Sequence, residues 1–374
     1  MRFLKWILVI ALIVSAFVAW QTQEYYSKAL PHSAYRIITV TDNDTLREVG
    51  QQLYDKEMIG SVEVFVMWAR IFGHDKKMKS GEYGVAVGTT LNGLFEILRS
   101  GKSLGHRLIV PEGTNLFEIG AKLEELTLCK KEDFVALATN KKFIKSIFPE
   151  ELTSLEGYLF PDTYFFTKVD GCRTIARRLV LRFLDKFKKI GTRPGWARHQ
   201  IVTLASIIEK ETGAGFERPQ ISSVFHNRLQ KKMRLQTDPT VIYARLLKTG
   251  AYRLNITKSD LLADHPYNTY KRSGLPPGPI SNPGLEALSA AVQPANTEYL
   301  YFVSKNDGTH VFSKNYKDHS SAVTSYQMDP KARAGKSWRD LSKRTVTDVE
   351  ANLGSVEEPS IKAPAVLKPA RKSK

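Results

Sequence analysis

The sequence predicts an α+β protein. It opens with one N-terminal transmembrane helix, continues through small strand-turn-helix units and a mixed α/β domain with a cleft, and ends in a basic tail. Three observations carry this reading: an uncharged apolar run at residues 6–20, a strand-turn-helix pattern that recurs at 40–53 and 110–123, and a switch between helical and strand periodicity from 155 to 328. With 374 residues and 42% hydrophobic content the chain has enough apolar material for more than one core. The expected divisions are 1–24, a cytoplasmic N-terminus and membrane anchor; 35–105, a first module; 106–154, a second repeat with a linking helical segment; 155–328, the cleft-bearing domain; and 329–374, a disordered tail.

The apolar run is flanked by Trp6 and Trp20, which suit a membrane interface, and with Phe3 and Leu4 it reaches the roughly 17 residues a spanning helix needs. A cleaved signal peptide is the rival reading, but the best small-x-small site, Val14-Ser15-Ala16, would leave Phe17 to Trp20 behind it. A retained anchor is expected. Arg2 and Lys5 precede the span, which puts the bulk of the chain outside the cytoplasm. The net charge of +17 calls for an anionic partner, a lipid surface or wall polymer, with intracellular nucleic acid removed by that topology.

After the anchor, 40–53 (VTDNDTLREVGQQL) aligns with 110–123 (VPEGTNLFEIGAKL), and 87–98 is a looser third copy. Each has a short β-type run, a turn rich in Gly, Asp or Asn, and a helix start. Packing alone and glycan binding both remain open for these units. The first two copies, with KSGEY (79–83) between them, resemble a LysM-like module, a type associated with N-acetylated glycans.

Cys129 and Cys172 are the only cysteines, which excludes a disulfide framework and a zinc knuckle. Two unpaired core thiols are expected, with a single bridge left open. Arg173 to Lys189 reads as a basic amphipathic helix, and 201–212 and 224–229 as further helices. TDPT (237–240) breaks the helical pattern before 241–247. Residues 285–292 form a short helix, and 299–303 with 310–312 a hairpin around Asn306-Asp307-Gly308. From Lys331 the text is rich in Lys, Arg, Ala, Pro and Ser and contributes +6 of the +17. The tail is either simply solvated or touches anionic lipid or wall polymer.

The stretch LASIIEKET (204–212) sets two carboxylates against an apolar run. On a helical wheel Leu204, Ala205, Ile207 and Ile208 share one side, with Thr203, Ser206 and Lys210 opposite. Glu209 and Glu211 fall on the two borders, about 200° apart, so they cannot act side by side. A carboxyl half withdrawn from water can serve as a general acid, whereas an ordinary edge glutamate would pair with Lys210 or a nearby Arg. Periodicity does not choose between these.

No His-Glu-x-x-His or phosphate-loop motif is present, and His226, His265, His310 and His319 lack metal-ligand spacing. What remains is rich in sugar-binding groups: Asn227, Arg228, Gln236, Thr237, Asp238, Tyr267, Asn268, Thr269 and Tyr270, then GLPPGP (274–279).

At these residues the sequence resembles the endolytic murein transglycosylases of the MltG, or YceG-like, family. The match runs through LEGYLFPDTY (155–164), LASIIEKET, Glu217-Arg218, VFHNRL (224–229), MRLQTDPTVIY (233–243), YNTY (267–270), GLPPGPI (274–280) and NPG (282–284), and reaches from the anchor to about Tyr326. The resemblance implies that Glu209, the first Glu of EKET, is the catalytic carboxyl. Glu211, Glu217 and Arg218 would support it, and Glu156, Tyr158, Gln236, Asp238, Asn268 and Tyr270 would hold the strand.

The implied reaction is non-hydrolytic cleavage of the β-1,4 bond between N-acetylmuramic acid and N-acetylglucosamine, leaving a 1,6-anhydro end. No metal or organic cofactor is implied. The implied partners are peptidoglycan strands and the synthases that polymerise them, and the implied location is the inner membrane with the catalytic domain in the periplasm, terminating nascent strands. Two rivals stand. A lysozyme-type muramidase needs a second acid, with Glu156 or Asp238 as nominees. A non-catalytic wall-binding anchor would use the repeats, with the basic tail.

Overall fold

The computed structural model describes residues 27–74 and 78–329, with isolated positions among residues 6–24. Apart from those isolated positions, the expected anchor lies outside the described residues, as does all but the first residue of the expected tail. No helix among the described residues is long and apolar enough to cross a membrane. The fold is mixed α/β with small two-stranded antiparallel sheets.

Strand-turn-helix text becomes structure three times. Strand β1 (Arg36–Val40) leads to α1 (Leu46–Asp55), α2 (Val62–Ile71) follows, and β2 (Gly81–Val85) leads to α3 (Leu91–Ser100). Strand β3 (His106–Ile109) leads to α4 (Leu116–Glu125). Each of α1, α3 and α4 starts on a side chain that accepts an otherwise orphaned N–H: Thr45, Thr90 and Asn115. In α1 and α4 a glutamate three residues on, Glu48 or Glu118, reaches back to the cap N–H and completes a capping box.

Two apolar cores result. The first runs from Leu30 to Leu98, where β1 pairs antiparallel with β2 (Val40 opposite Gly81) under α1, α2 and α3. The second runs from Leu108 to Val292. The aligned copy at 110–123 therefore packs in the second core, away from the copy at 40–53, while the looser copy at 87–98 joins the first. Buried Glu82 of β2 ties the two cores together, accepting from His106 Nε2 at 3.1 Å and the Lys168 N–H at 3.2 Å.

In the second core β3 pairs antiparallel with β4 (Thr163–Phe166). Helix α5 (Lys131–Ala138) packs against α6 (Lys141–Lys145) and α7 (Gly171–Phe187), while α8 (Arg198–Glu211) packs against α9 (Arg218–Gln230), α10 (Asp238–Thr249), which carries α11 (Lys258–Leu262), and α12 (Leu285–Val292). Strands β5 (Tyr301–Ser304) and β6 (His310–Ser313) form the expected hairpin, turning through Asn306 and Gly308 at positive φ, and α13 (Tyr316–Val323), continued by a π-helical turn at Thr324–Met328, closes the described chain.

Three expectations are corrected. Cys129 and Cys172 are not free thiols: they form a disulfide, with Cα atoms 5.3 Å apart, that fastens the end of the α4 segment to the start of α7. The Asp238-Pro239 pair does not simply interrupt a helix; it starts α10, because proline at the first turn gives up an N–H that has no helical partner anyway. Helix α8 has no solvated polar side over its length. Every residue from Ile201 to Ile208 is buried, Thr203 and Ser206 included. Their hydroxyls bond back to the His199 and Thr203 carbonyls, and Ser206 Oγ also accepts the Ile280 N–H at 3.0 Å, so burial leaves no polar group unmatched.

Candidate active site

Glu209 sits in the last turn of α8 with its side chain 5% exposed. Both carboxylate oxygens accept hydrogen bonds: Oε1 from Arg218 Nη2 at 2.9 Å, Oε2 from the Gly284 N–H at 2.9 Å. Arg218 opens α9 after a tight turn at Gly215–Glu217, which swings the chain back so that its guanidinium, 9% exposed, meets the end of α8. The same Nη2 lies 3.6 Å from Glu112 Oε2, and Nη1 pairs with Glu286. One planar guanidinium thus faces three carboxylates, from the β3–α4 loop, α8 and the first turn of α12. Gly284 stands at the N-terminus of α12, whose dipole favours negative charge there.

Burial pushes the Glu112 carboxyl above its ordinary range, the negative charge of Glu209 adds to this, Arg218 opposes it, and Glu286 adds again. A Cβ at 284 would lie 1.8 Å from Glu112 Oε1, so the Glu112 side chain would have to swing away to admit it. Lys210 steadies the loop from the other side, its ammonium donating to the Gly113 carbonyl at 3.2 Å. A groove of about 500 Å³ adjoins Arg218 and Glu286, walled by Pro219, Ser289, Gln293 and Phe216, whose ring is 74% exposed.

Glu211 points to the other edge of α8, as its wheel position requires. Thr237 Oγ1 donates to it; burial pushes its carboxyl up to about 7, against the Thr237 hydrogen bond, while Asp238 adds and Arg228 opposes. Asp238 is exposed and accepts from Tyr270 Oη at 2.6 Å, and exposed Gln236, at positive φ, donates its N–H to the Thr269 carbonyl. Gln236, Asp238, Tyr270 and Glu211 therefore gather in a second polar cluster, separate from the contacts of Glu209.

The remaining candidates are enclosed. Glu156 is 2% exposed and accepts from the Leu116 N–H at 3.1 and 3.0 Å, Tyr243 Oη at 3.0 Å and Asn282 Nδ2 at 3.1 Å. Burial pushes it up to about 7, with the Leu116 and Tyr243 hydrogen bonds opposing. Tyr158 is buried between the edges of Phe148 and Phe183, with its hydroxyl on His199 Nδ1 at 3.0 Å. Asn268, wholly buried, pins the loop after α11 by donating to the Leu261 and Ala263 carbonyls. In these positions the three tie the core together and present no face to a strand. Glu217 is buried too, accepting the His310 N–H at 2.9 Å and Nδ1 at 2.7 Å, which fastens the β5–β6 hairpin to the start of α9.

Sequence reasoning missed Glu112, Gly284 and Glu286. The first lay in the repeated turn VPEGTN and the second in NPG, which entered only as one motif of the family resemblance, and Glu286 carried no signal beyond an acid in a helix's first turn. Among the described residues no group of three His, Cys, Asp or Glu side chains is arranged to hold a metal ion.

A profile of the YceG-like family matches residues 38–325, a span that takes in every residue of this site. The chain belongs to the YceG-like family. Within that family the chain is similar to a Bacillus subtilis protein named endolytic murein transglycosylase, 33% identical over 307 residues, covering 77% of this chain and 84% of that protein. A Streptococcus pneumoniae protein of the same name is 26% identical over 328 residues, covering 78% of this chain and 58% of the other. A solved YceG-like protein from Listeria monocytogenes is 30% identical, with a TM-score of 0.51 over 78% of this chain and all of that one.

Proposed function

We propose that this YceG-like protein is a peptidoglycan lytic transglycosylase, cutting the β-1,4 bond between N-acetylmuramic acid and N-acetylglucosamine inside a strand without water. The observation that carries the reading is Glu209, a nearly enclosed carboxylate at the end of α8, fixed by a guanidinium on one oxygen and a backbone N–H on the other. Such a group holds one orientation toward the anomeric carbon, and Arg218 balances its charge through the cycle.

The departing glycosidic oxygen takes a proton, the muramyl C6 oxygen bonds to C1, and the C6 hydroxyl proton passes to carboxylate. Glycosidases that use water need a second carboxylate for it or for the sugar. Of the two nominees for that hydrolytic role, Glu156 is enclosed in the core and Asp238 is engaged by Tyr270 beside Glu211.

The β-α-α-β unit of the first core supports a LysM-like, glycan-holding module at 35–105, ahead of a second repeat with linking helices at 106–154 and the catalytic domain at 155–328. We further propose an N-terminal anchor in the inner membrane, with the folded part in the periplasm terminating strands beside a synthase. The Cys129–Cys172 bridge fits that oxidising compartment.

The test is mass spectrometry of products from purified protein and isolated glycan strands. Anhydro-ended fragments, abolished by Glu209→Gln, are expected. Reducing-ended fragments would mean hydrolysis, uncut strands a binding protein, and undiminished cleavage by the amide variant would remove Glu209 from the chemistry.

A further inference from the structure

We propose that the groove beside Arg218 continues along α12 and α9 to Trp196, and that its far end holds further N-acetylated sugar rings of the same glycan strand, away from the bond that is cut. The inference rests on the transglycosylase reading and says where the strand is gripped at a distance from Glu209.

Continuity is the first support. The groove of about 500 Å³ at Arg218 and Glu286 meets a second one, of about 790 Å³, at Gln293, which lines both. The second lies between α9, the segment 292–297 that follows α12, and the loop that leads into α8. Each volume is in the range of ordinary ligand sites. Helix α12 joins the two. Its N-terminal end reaches Glu209 through the Gly284 N–H and Arg218 through Glu286, and its last residue, Val292, lines the second groove. Its eight residues cover roughly 12 Å, so the second groove opens a few sugar rings from the reacting carboxylate.

Chemistry is the second support. One face of α9, Ser223, His226, Asn227 and Gln230, lines the second groove at helical spacing, and Gln293 and Asn296 line it from the segment after α12. Among the described residues Arg193 is the only charged side chain in that lining. Carboxamides offer a donor and an acceptor each, which matches sugar hydroxyls and N-acetyl groups better than it matches a polyanion.

The scaffold of this groove is already fixed. Asn227 Nδ2 donates to the Thr297 and Tyr299 carbonyls at 2.8 and 2.9 Å, which leaves its own carbonyl oxygen to accept. His226 Nε2 lies 3.0 Å from the Ala291 carbonyl, an acceptor only, so that nitrogen carries the proton. Burial holds the ring below its usual pKa, with the Ala291 hydrogen bond opposing and Arg193 adding, and the neutral ring keeps Nδ1 as an acceptor. Arg193 Nη1 donates to the Val292 carbonyl at 3.0 Å. Half-buried Trp196 is set against His226, ring centroids 4.7 Å apart, and supplies the flat apolar surface that a pyranose covers.

Binding energy gathered far from the reacting centre can be spent at it, so losing this grip should slow long strands most. The test measures kcat/KM on peptide-free glycan strands of graded length. For wild type it should climb once a strand is long enough to reach Trp196. Trp196→Ala should flatten that climb, losing about tenfold on long strands, the worth of one aromatic anchor. Trp196→Phe, which keeps a ring, should restore most of it. Affinity of Glu209→Gln protein for long strands should fall by a similar factor when Trp196→Ala is added.

An unchanged length dependence, or a loss equal at every length, would overturn the assignment; so would a loss confined to strands that still carry their peptide stems. Trp196 also packs on the second core, so if Trp196→Ala does not fold by its melting curve, the double variant Gln293→Ala, Asn296→Ala, at two exposed positions, is read by the same length dependence. Failure of the transglycosylase reading looks different: wild type would give no anhydro ends at any length, while Trp196→Ala would still weaken strand binding by Glu209→Gln protein.

Discussion

Replacing Glu156 with glutamine tests whether the buried carboxyl under the site has the proton affinity its surroundings dictate. The group is enclosed by Leu116, Tyr243 and Asn282, and burial moves its carboxyl from 4.5 to about 7. The folded protein therefore holds this proton over a pH range where the unfolded chain has lost it. That stabilisation is fully present below 4.5 and is lost as pH rises through about 7.

Integrated between pH 5 and pH 8, the effect is on the order of 2–3 kcal/mol. Glutamine keeps the shape and carries no charge, so the variant lacks this pH dependence. The assay is urea unfolding of both proteins at pH 5 and pH 8. The stability difference should shift by about 2–3 kcal/mol in the variant's favour on going to pH 8, or about 5–10 °C in melting temperature for a body of this size. Glu211, also pushed up to about 7, contributes equally to both proteins and cancels. A difference that is the same at both pH values would refute the reasoning, because Glu156 would then be ionised at no cost.

Two further outcomes follow from the geometry. Gly284→Ala puts a Cβ where the Glu112 carboxyl now lies, so that side chain should swing away and the Gly284 N–H that holds Glu209 should shift; strand cleavage should fall by about 100-fold, the weight of a misplaced general acid or base, while circular dichroism and melting show the fold retained; full activity would mean that this N–H does not set the position of Glu209. Removing the bridge with Cys129→Ser and Cys172→Ser frees a 43-residue loop in the unfolded chain and should cost about 4 kcal/mol by loop entropy, read as a lowered melting temperature that reductant reproduces in the wild type. An unchanged melt in both experiments would show that the loop is already constrained when unfolded.

What could be read in the sequence was local. Helix α12, the β5–β6 hairpin and the three capped helix starts were visible because turn chemistry and side-chain period act over a few residues. Glu209 and Arg218 were legible as parts of one long stretch of motifs. Glu112 and Glu286 are 97 and 77 positions from Glu209, and only the packing of β3, α8 and α12 brings them to it; no periodicity reports such a meeting. Glu156, Tyr158 and Asn268 have the chemistry of sugar ligands, but that same chemistry serves to satisfy buried backbone groups, and composition cannot tell the two uses apart. The polar face assigned to α8 failed for a related reason: Thr203 and Ser206 return their hydroxyls to their own helix and so tolerate enclosure.

Arg218 gives the site a particular evolutionary stiffness. A flat, five-donor fork can address acids arriving from three directions, whereas an ammonium is a single point of charge. Exchange for lysine, ordinarily the mildest step open to an arginine, would therefore unfasten three separate stretches of chain at once, and a lineage drifting at this position has no gentle intermediate to pass through.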